Sequence, residues 1–119
     1  MLIPTNDKKI YIASQAIDFR MSMNGLSELI QKNKSTNIYD GSIYAFFNKA
    51  QDKIKCLFWD KNGFVLYYKR LEGTKFKFMK LSKDLQSLTS QDLQVILSGY
   101  DPNKAVKVTD QGHLIEHKY

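Results

Sequence analysis

The sequence predicts a single small α+β domain, in which an antiparallel β-meander carries two amphipathic helices packed on one face. Two observations lead to this prediction. Two turn sequences join runs of β-forming residues between positions 42 and 80, and one segment with helical spacing of apolar residues lies on each side of that region. A chain of 119 residues fits one domain, which is large enough to fold without a metal or a disulfide.

The first elements precede the meander. Residues 9–14 place isoleucine at alternate positions and predict a strand. Apolar residues at helical spacing predict a helix over 24–33, with Ser22 or Asn24 as its N-cap. The turn-forming composition of 33–37 ends that helix.

The meander is predicted from its turns. Asp60-Lys61-Asn62-Gly63 is typical of a hairpin in which Gly63 takes the positive φ of a bulge, and Glu72-Gly73 makes a second turn. The runs between the turns are rich in β-branched and aromatic residues. The predicted strands are 42–47, 53–59, 64–70 and 74–80.

The second helix, over 90–98, has clear end signals. Thr89 and Asp92 have the spacing of a capping box, and Gly99 is placed to end the helix. We assign residues 1–101 to the α+β domain. Residues 102–119 form a C-terminal extension, which is either a hairpin that pairs 105–109 with 113–116 or a flexible tail.

A bulge at Gly63 fixes the register of the central hairpin, because it sets Lys55 directly opposite Lys69. One face of the sheet is then basic and aromatic, and the more apolar opposite face meets the helices. The basic face carries Lys53, Lys55, Leu57, Trp59, Val65, Tyr67 and Lys69, and the apolar face Ile54, Cys56, Phe58, Phe64, Leu66, Tyr68 and Arg70. Two opposed lysines repel, which is better tolerated where an anion sits between them.

The positive charge of the chain is concentrated. The formal net charge is +6, and residues 49–83 contain ten cationic against three acidic residues, a surplus of seven. Such a surplus favours an anionic partner such as nucleic acid. The alternative is that these lysines only solvate exposed strands and discourage edge pairing. Trp59 likewise either stacks on a base or a partner, or packs under the first strand or helix.

Motifs along most of the chain resemble the Orf2-like (TnpB-like) accessory proteins of IS66-type bacterial insertion sequences. The resemblance covers about residues 4–101. Its motifs are Asp18-Phe19-Arg20, Asn24-Gly25-Leu26, Asp52-Lys53-Ile54-Lys55, Trp59-Asp60, Gly63, Tyr68-Lys69-Arg70-Leu71-Glu72, Leu88-Thr89 and Leu97-Ser98-Gly99-Tyr100-Asp101. The resemblance implies a role in transposition beside a separate, larger transposase, without a defined chemistry.

Catalytic and metal-binding patterns are weak, so we expect no enzyme activity, no bound metal and no cofactor. His113 and His117 are four residues apart but fall on a predicted strand without a third ligand. Four aspartates could form a nuclease site: Asp18, Asp40, Asp52 and Asp60. Asp40 and Asp60 are better explained as turn residues, and Asp18 as the partner of Arg20 in a buried or half-buried ion pair. Cys56, the single cysteine, is expected to be inert packing in a reducing compartment.

Three hypotheses remain from different classes: an accessory protein of transposition that binds DNA, the transposase or both; a protein-interaction module without DNA contact; and a small nuclease. For the first we expect phosphate contacts, weak sequence preference and steep salt dependence. The candidate contact residues are Arg20, Lys53, Lys55, Trp59, Tyr67, Lys69, Arg70, Lys75 and Lys77. No long apolar run or signal core is present, so we expect a cytoplasmic protein without membrane contact. The sequence leaves the oligomeric state open.

Overall fold

The computed structural model describes residues 3–33, 36–103, 105–108 and 114–116, with side chains described as far as residue 103. The described chain forms seven strands and two helices. Their bounds are β1 Ile10–Ala13, α1 Met23–Gln31, β2 Ile43–Phe47, β3 Lys53–Asp60, β4 Gly63–Arg70, β5 Leu85–Leu88, α2 Ser90–Leu97, β6 Ala105–Val108 and β7 Leu114–Glu116.

Five strands form one mixed sheet in the order β4-β3-β2-β1-β5. The strands β2, β3 and β4 are antiparallel neighbours and make the predicted meander, whereas β1 runs parallel to β2. The connection between these two parallel strands contains α1, as a parallel pair requires a crossover. The α+β class is confirmed, and the sheet extends beyond the meander through β1 and β5.

The prediction of a strand over 74–80 is wrong. Residues 71–84 form no strand, and the last strand of the sheet, β5, pairs with β1 at the far edge. Phe76 is buried, and its backbone amide donates to the carbonyl of Gln51 at 2.7 Å, so the segment crosses the end of the sheet. Lysine and phenylalanine alternate in this segment because any extended chain that packs one side against a core buries every second side chain. A strand gives the same two-residue period, so the sequence pattern does not distinguish the two.

The prediction that both helices pack on one face is also wrong. The sheet separates two apolar clusters: Leu26 and Ile30 of α1 lie in one, and Leu93 and Ile96 of α2 lie in the other. All five residues of β2 are buried, so this central strand needs cover on both faces. The α1 face of the sheet presents Tyr44, Phe46 and Leu57, and the α2 face presents Ile43, Ala45, Phe47, Ile54, Cys56 and Phe58.

Local capping chemistry is as predicted. The hydroxyl of Ser22 accepts from the backbone N–H of Gly25, which makes Ser22 the N-cap of α1. Thr89 and Asp92 form the full capping box, with bonds of 3.0 and 3.1 Å between each side chain and the other residue's backbone N–H. Gly99 follows α2 at φ +81°, a conformation in which glycine is favoured.

The predicted register of the central hairpin is wrong by one residue. Lys61 takes the left-handed conformation with φ 53°, and φ of Gly63 is not positive, so the loop holds two residues and no bulge. Asp60 therefore pairs with Gly63. Lys55 lies opposite Tyr68, and Lys69 lies opposite Ile54. A shift of one residue moves every side chain of β4 to the other face.

The C-terminal strands β6 and β7 pair antiparallel in a separate two-stranded sheet. The histidines His113 and His117 lie outside the described residues. In the described part of the chain, no helix is long and apolar enough to cross a membrane.

Candidate nucleic-acid interface: a basic rim at one end of the sheet

The corrected register divides the predicted contact residues between the two faces. Lys53, Lys55 and Trp59 lie on the α1 face, where their partners across the hairpin are Arg70, Tyr68 and Phe64. Tyr67 and Lys69 lie on the opposite, α2 face, because they pair with Cys56 and Ile54. The face predicted from the sequence is therefore not one surface.

Lys69 contacts the C-terminal end of α2. Its Nζ donates a hydrogen bond of 2.6 Å to the backbone carbonyl of Leu97, the last residue of that helix. The final carbonyls of a helix lack partners within the helix and carry partial negative charge, so an ammonium group is well placed there. Lys69 thus ties the edge of the sheet to α2.

Lys55 is buried, with 7% of its surface exposed. Its Nζ donates to the backbone carbonyl of Phe19 at 2.9 Å and lies 4.7 Å from the centre of the Phe19 ring. The ring of Tyr68, opposite Lys55 in the hairpin, lies 5.7 Å from the same nitrogen. Cation–π contact and the hydrogen bond together hold the loop 18–20 on the sheet.

Trp59 lies at the other end of the hairpin in a three-ring cluster. Its ring contacts Tyr39 at 5.1 Å and Phe64 at 5.0 Å, both edge to face. Tyr39 is 57% exposed, so part of this aromatic cluster faces solvent. Trp59 itself is half-buried.

The remaining predicted cations, together with Lys49, lie at the end of the sheet where β2 and β4 finish and β3 begins. Backbone hydrogen bonds join the segments there, since Leu71 donates to Asp52 at 2.8 Å and Phe76 donates to Gln51 at 2.7 Å. We call this group the basic rim. It comprises Arg20, Lys49, Lys53, Arg70, Lys75 and Lys77. Beside it is a cavity of about 480 Å³ lined by Ala50, Asp52 and residues 70–75.

Lys53 and Arg70 are direct neighbours within the rim. The backbone amide of Leu71 donates to Asp52, so these two residues are a hydrogen-bonded pair. Hydrogen-bonded and non-hydrogen-bonded pairs alternate along an antiparallel ladder, so the next pair, Lys53 and Arg70, is of the closer, non-hydrogen-bonded type. Their Cα atoms are then about 4.5 Å apart. Two like charges on opposed positions destabilise a hairpin unless an anion or a carboxylate lies near them.

Both rim arginines have carboxylate partners. Arg20 bonds Asp18 at 2.6 Å and Arg70 bonds Glu72 at 2.8 Å. Side-chain and backbone hydrogen bonds from Arg20 lower the pKa of Asp18 from 3.8 to about 2. The predicted pair of Asp18 and Arg20 thus exists, but it is exposed rather than buried, with 91% of the Arg20 side chain open to solvent. The ion pair of Asp18 and Arg20 therefore stabilises the conformation of the loop 18–20 and is not a contact of the core.

The four rim lysines make no ion pair within the described part of the chain. Three carboxylates interact with rim residues: Asp18 with Arg20, Glu72 with Arg70, and Asp52 by charge attraction with Lys53 and Arg70. Asp52 is bound by the side-chain amide of Asn48 at 2.6 Å, and this bond is the main cause of its lowered pKa. The rim therefore presents ammonium groups that are held in no ion pair of the described residues.

Comparison with known proteins decides the family. The family model described as "IS66 Orf2 like protein" matches residues 8–107. This chain belongs to the IS66 Orf2-like family. The match includes every rim residue and both helices.

Two rhizobial proteins of Sinorhizobium fredii are similar to this IS66 Orf2-like chain. One, called y4jC, is 32% identical over 101 residues, which is 85% of this chain and 86% of the relative. The other, called y4hO, is 25% identical over 101 residues, covering 85% and 88% of the two chains. No solved structure matches the chain.

The described residues of this IS66 Orf2-like chain bring together no three His, Cys, Asp or Glu side chains that could hold a metal ion. The candidate aspartates divide between the two ends of the sheet, since Asp40 and Asp60 lie before β2 and at the hairpin loop, and Asp18 and Asp52 are at the rim. Cys56 is fully buried, and burial raises the pKa of its thiol to about 12, so the thiol stays protonated at neutral pH.

Sequence reasoning missed Lys49 as a member of the rim. It stands in the loop between β2 and β3, and only the contact of that loop with residues 71–76 shows that it joins the other cations. The sequence did hold one signal for Lys49, which is its position in a loop. A lysine in a loop does not protect the edge of a strand, so its charge is available for another role.

Proposed function

We propose that this protein is a non-catalytic accessory protein of IS66-type transposition that contacts nucleic-acid phosphates through the basic rim. Membership of the IS66 Orf2-like family supports the place in transposition. The convergence at the rim of four lysines without ion pairs supports the contact with an anion.

Lysine-rich surfaces bind the backbone more than the bases. An ammonium group is a point charge, whereas bidentate recognition of guanine requires the planar fork of arginine. The two rim arginines are held by Asp18 and Glu72. The expected mode is thus contact to phosphates with little sequence preference and a steep dependence on salt.

A second candidate function is a protein-interaction module that docks the transposase. The aromatic cluster of Tyr39, Trp59 and Phe64 supports it, because exposed aromatic side chains are frequent anchors of protein interfaces. The cluster is at the hairpin end of the sheet, away from the rim. The two functions can therefore be tested with separate variants.

The rim is tested by charge reversal. Fluorescence anisotropy with duplex DNA from the ends of the element, and with unrelated duplex, is measured across salt concentrations. We expect the double variant Lys53→Glu with Lys75→Glu to bind at least about tenfold more weakly at low salt. The slope of log affinity against log salt should fall by about two units, one for each lost phosphate contact.

A matched control reverses the same amount of charge elsewhere. Lys9→Glu with Lys61→Glu changes two exposed lysines at the opposite end of the sheet. The control should keep most of the affinity and the slope. Equal losses of affinity in both double variants would show that net charge alone governs binding. If the wild-type protein does not bind DNA but captures the transposase, the result would favour the protein-interaction module.

A further inference from the structure

Tyr68 is an exposed aromatic residue on the α1 face of the sheet, next to the basic rim. It lies on β4 directly opposite Lys55, and 49% of its surface is open to solvent. The register predicted from the sequence had placed Tyr68 and Lys55 on different faces, so only the structure brings this ring beside the cations. A single exposed tyrosine is ordinary on a protein surface, and its surroundings decide what it can bind.

The surroundings of Tyr68 on the sheet are cationic. Among the described residues of β3 and β4, its neighbours on the same face are Leu66 and Arg70 on its own strand and residues 53, 55 and 57 across the hairpin. None of these five residues is acidic, and three of them are cations. Arg70 is two residues, or about 7 Å, along the strand from Tyr68. Lys53 is a diagonal neighbour, at about 7–8 Å between Cα atoms.

The ring of Tyr68 is held in place by contacts that leave half of the residue open. The ring of Phe19 lies 6.1 Å away at an angle of 62°. The ammonium group of Lys55, which bonds the carbonyl of Phe19, lies 5.7 Å from the centre of the Tyr68 ring. A side chain that is fixed before binding loses little conformational entropy when a ligand contacts it.

We propose that Tyr68 stacks on an unpaired base, and that the rim end of the α1 face binds single-stranded DNA. The bases of a duplex cover one another, so only a single strand or an unpaired end offers the face of a base to the ring. Proteins that bind single strands combine cations along the backbone with aromatic side chains on which bases stack. Lys53, which makes no ion pair in the described part of the chain, contacts the phosphate beside the stacked base.

The inference rests on the proposed contact of the rim with phosphates, and it adds the form of nucleic acid that the rim receives. Every base has a π-face, so stacking on Tyr68 adds affinity without sequence preference. A tyrosine can also anchor a partner protein. The cores of protein interfaces are depleted of lysine, however, whereas Tyr68 has Lys53 and Lys55 as neighbours on its own face.

The test compares a labelled single strand of about 12 nucleotides with the duplex of the same sequence by fluorescence anisotropy of the full chain. We expect Tyr68→Ala to weaken binding of the single strand about tenfold and binding of the duplex less than about twofold. The slope of log affinity against log salt should stay the same, because the variant removes no charge. Tyr68→Phe should keep the affinity for the strand within about twofold, because stacking requires the ring and not the hydroxyl.

Tyr39→Ala is the matched control, because Tyr39 is 57% exposed and lies at the opposite end of the sheet. It should leave the affinity for both forms of DNA within about twofold of wild type. A second measurement needs no variant that removes the contacts of Tyr68 with Lys55 and Phe19. The NMR signals of the Tyr68 ring protons should move upfield when the single strand is added to the wild-type protein, and should not move with the duplex.

Several results would overturn the inference and leave the rim itself untouched: equal losses for strand and duplex in Tyr68→Ala, an equal loss in Tyr39→Ala, or ring signals of Tyr68 that do not move. Loss of transposase capture in Tyr68→Ala with full affinity for the strand would show that the ring anchors a protein instead. If wild type binds neither the single strand nor the duplex, the inference and the proposed function fail together.

Discussion

Replacement of Lys55 by glutamate is expected to lower the free energy of unfolding by about 4 kcal/mol. The ammonium group of Lys55 is buried against the carbonyl of Phe19 and two aromatic rings. A carboxylate in its place would face that carbonyl and the negative faces of the rings without a donor. Urea unfolding monitored by circular dichroism gives the change.

Lys55→Met is the matched control, because methionine has a similar length and no charge. It should cost about 1–2 kcal/mol, since the carbonyl of Phe19 loses its donor but no charge is buried. A Lys55→Glu protein within about 0.5 kcal/mol of wild type would contradict the account, since that is the range of ordinary surface substitutions. Lys55 would then be an accessible lysine, as the sequence predicted.

Lys69→Glu is expected to cost about 2 kcal/mol of stability. The variant removes a charge-assisted hydrogen bond of 2.6 Å to Leu97 and places a negative charge at the negative end of α2. Loss of the bond also frees the end of the helix from β4. Thermal and urea unfolding measure the loss.

Lys75→Glu is the control for Lys69, because Lys75 is exposed and makes no ion pair among the described residues. It should change stability by less than about 0.5 kcal/mol. We expect the pattern to reverse for DNA: Lys75→Glu lowers the salt slope of binding, and Lys69→Glu in the folded protein does not. Equal stability of the two variants would show that Lys69 is not a helix cap.

Local chemistry explains which parts of the fold could be predicted. The capping box of Thr89 and Asp92 is formed within four residues, so its spacing in the sequence is enough to identify it. The strands 43–47, 53–60 and 63–70 were found from composition and turns. The parallel pairing of β1 with β2, which places α1 and α2 on opposite faces, depends on contacts about 33 residues apart and has no local signal.

The predicted register of the central hairpin was wrong because of the conformation of one turn residue, which the sequence does not indicate. The turn Asp60-Lys61-Asn62-Gly63 contains a glycine, yet Lys61 takes the left-handed conformation at φ 53°. Lysine rarely adopts that conformation, so glycine was the natural choice for it. The one-residue shift then moved Lys69 away from Lys55.

The candidate contact residues stay a prediction, and the structure brings only some of them together. The charge surplus of residues 49–83 located Lys53, Arg70, Lys75 and Lys77, and the motif Asp18-Phe19-Arg20 located Arg20. The structure places these residues at one end of the sheet. Lys55 and Lys69 were predicted to lie on the same surface, but each is bound to a backbone carbonyl elsewhere. These carbonyls, of Phe19 and Leu97, are 36 and 28 residues away in the sequence. A lysine that binds a remote backbone carbonyl looks the same in a sequence as one that faces solvent.

The rim as the nucleic-acid surface is tested most directly by amide and lysine side-chain NMR shifts during titration with duplex DNA from the ends of the element. We predict that the largest shifts occur at the rim, at residues 49–53, 70–77 and Arg20. The signals of Lys69 and of the cluster of Tyr39, Trp59 and Phe64 should stay in place. Shifts concentrated at that cluster or on the α2 face, with the rim unchanged, would contradict the account.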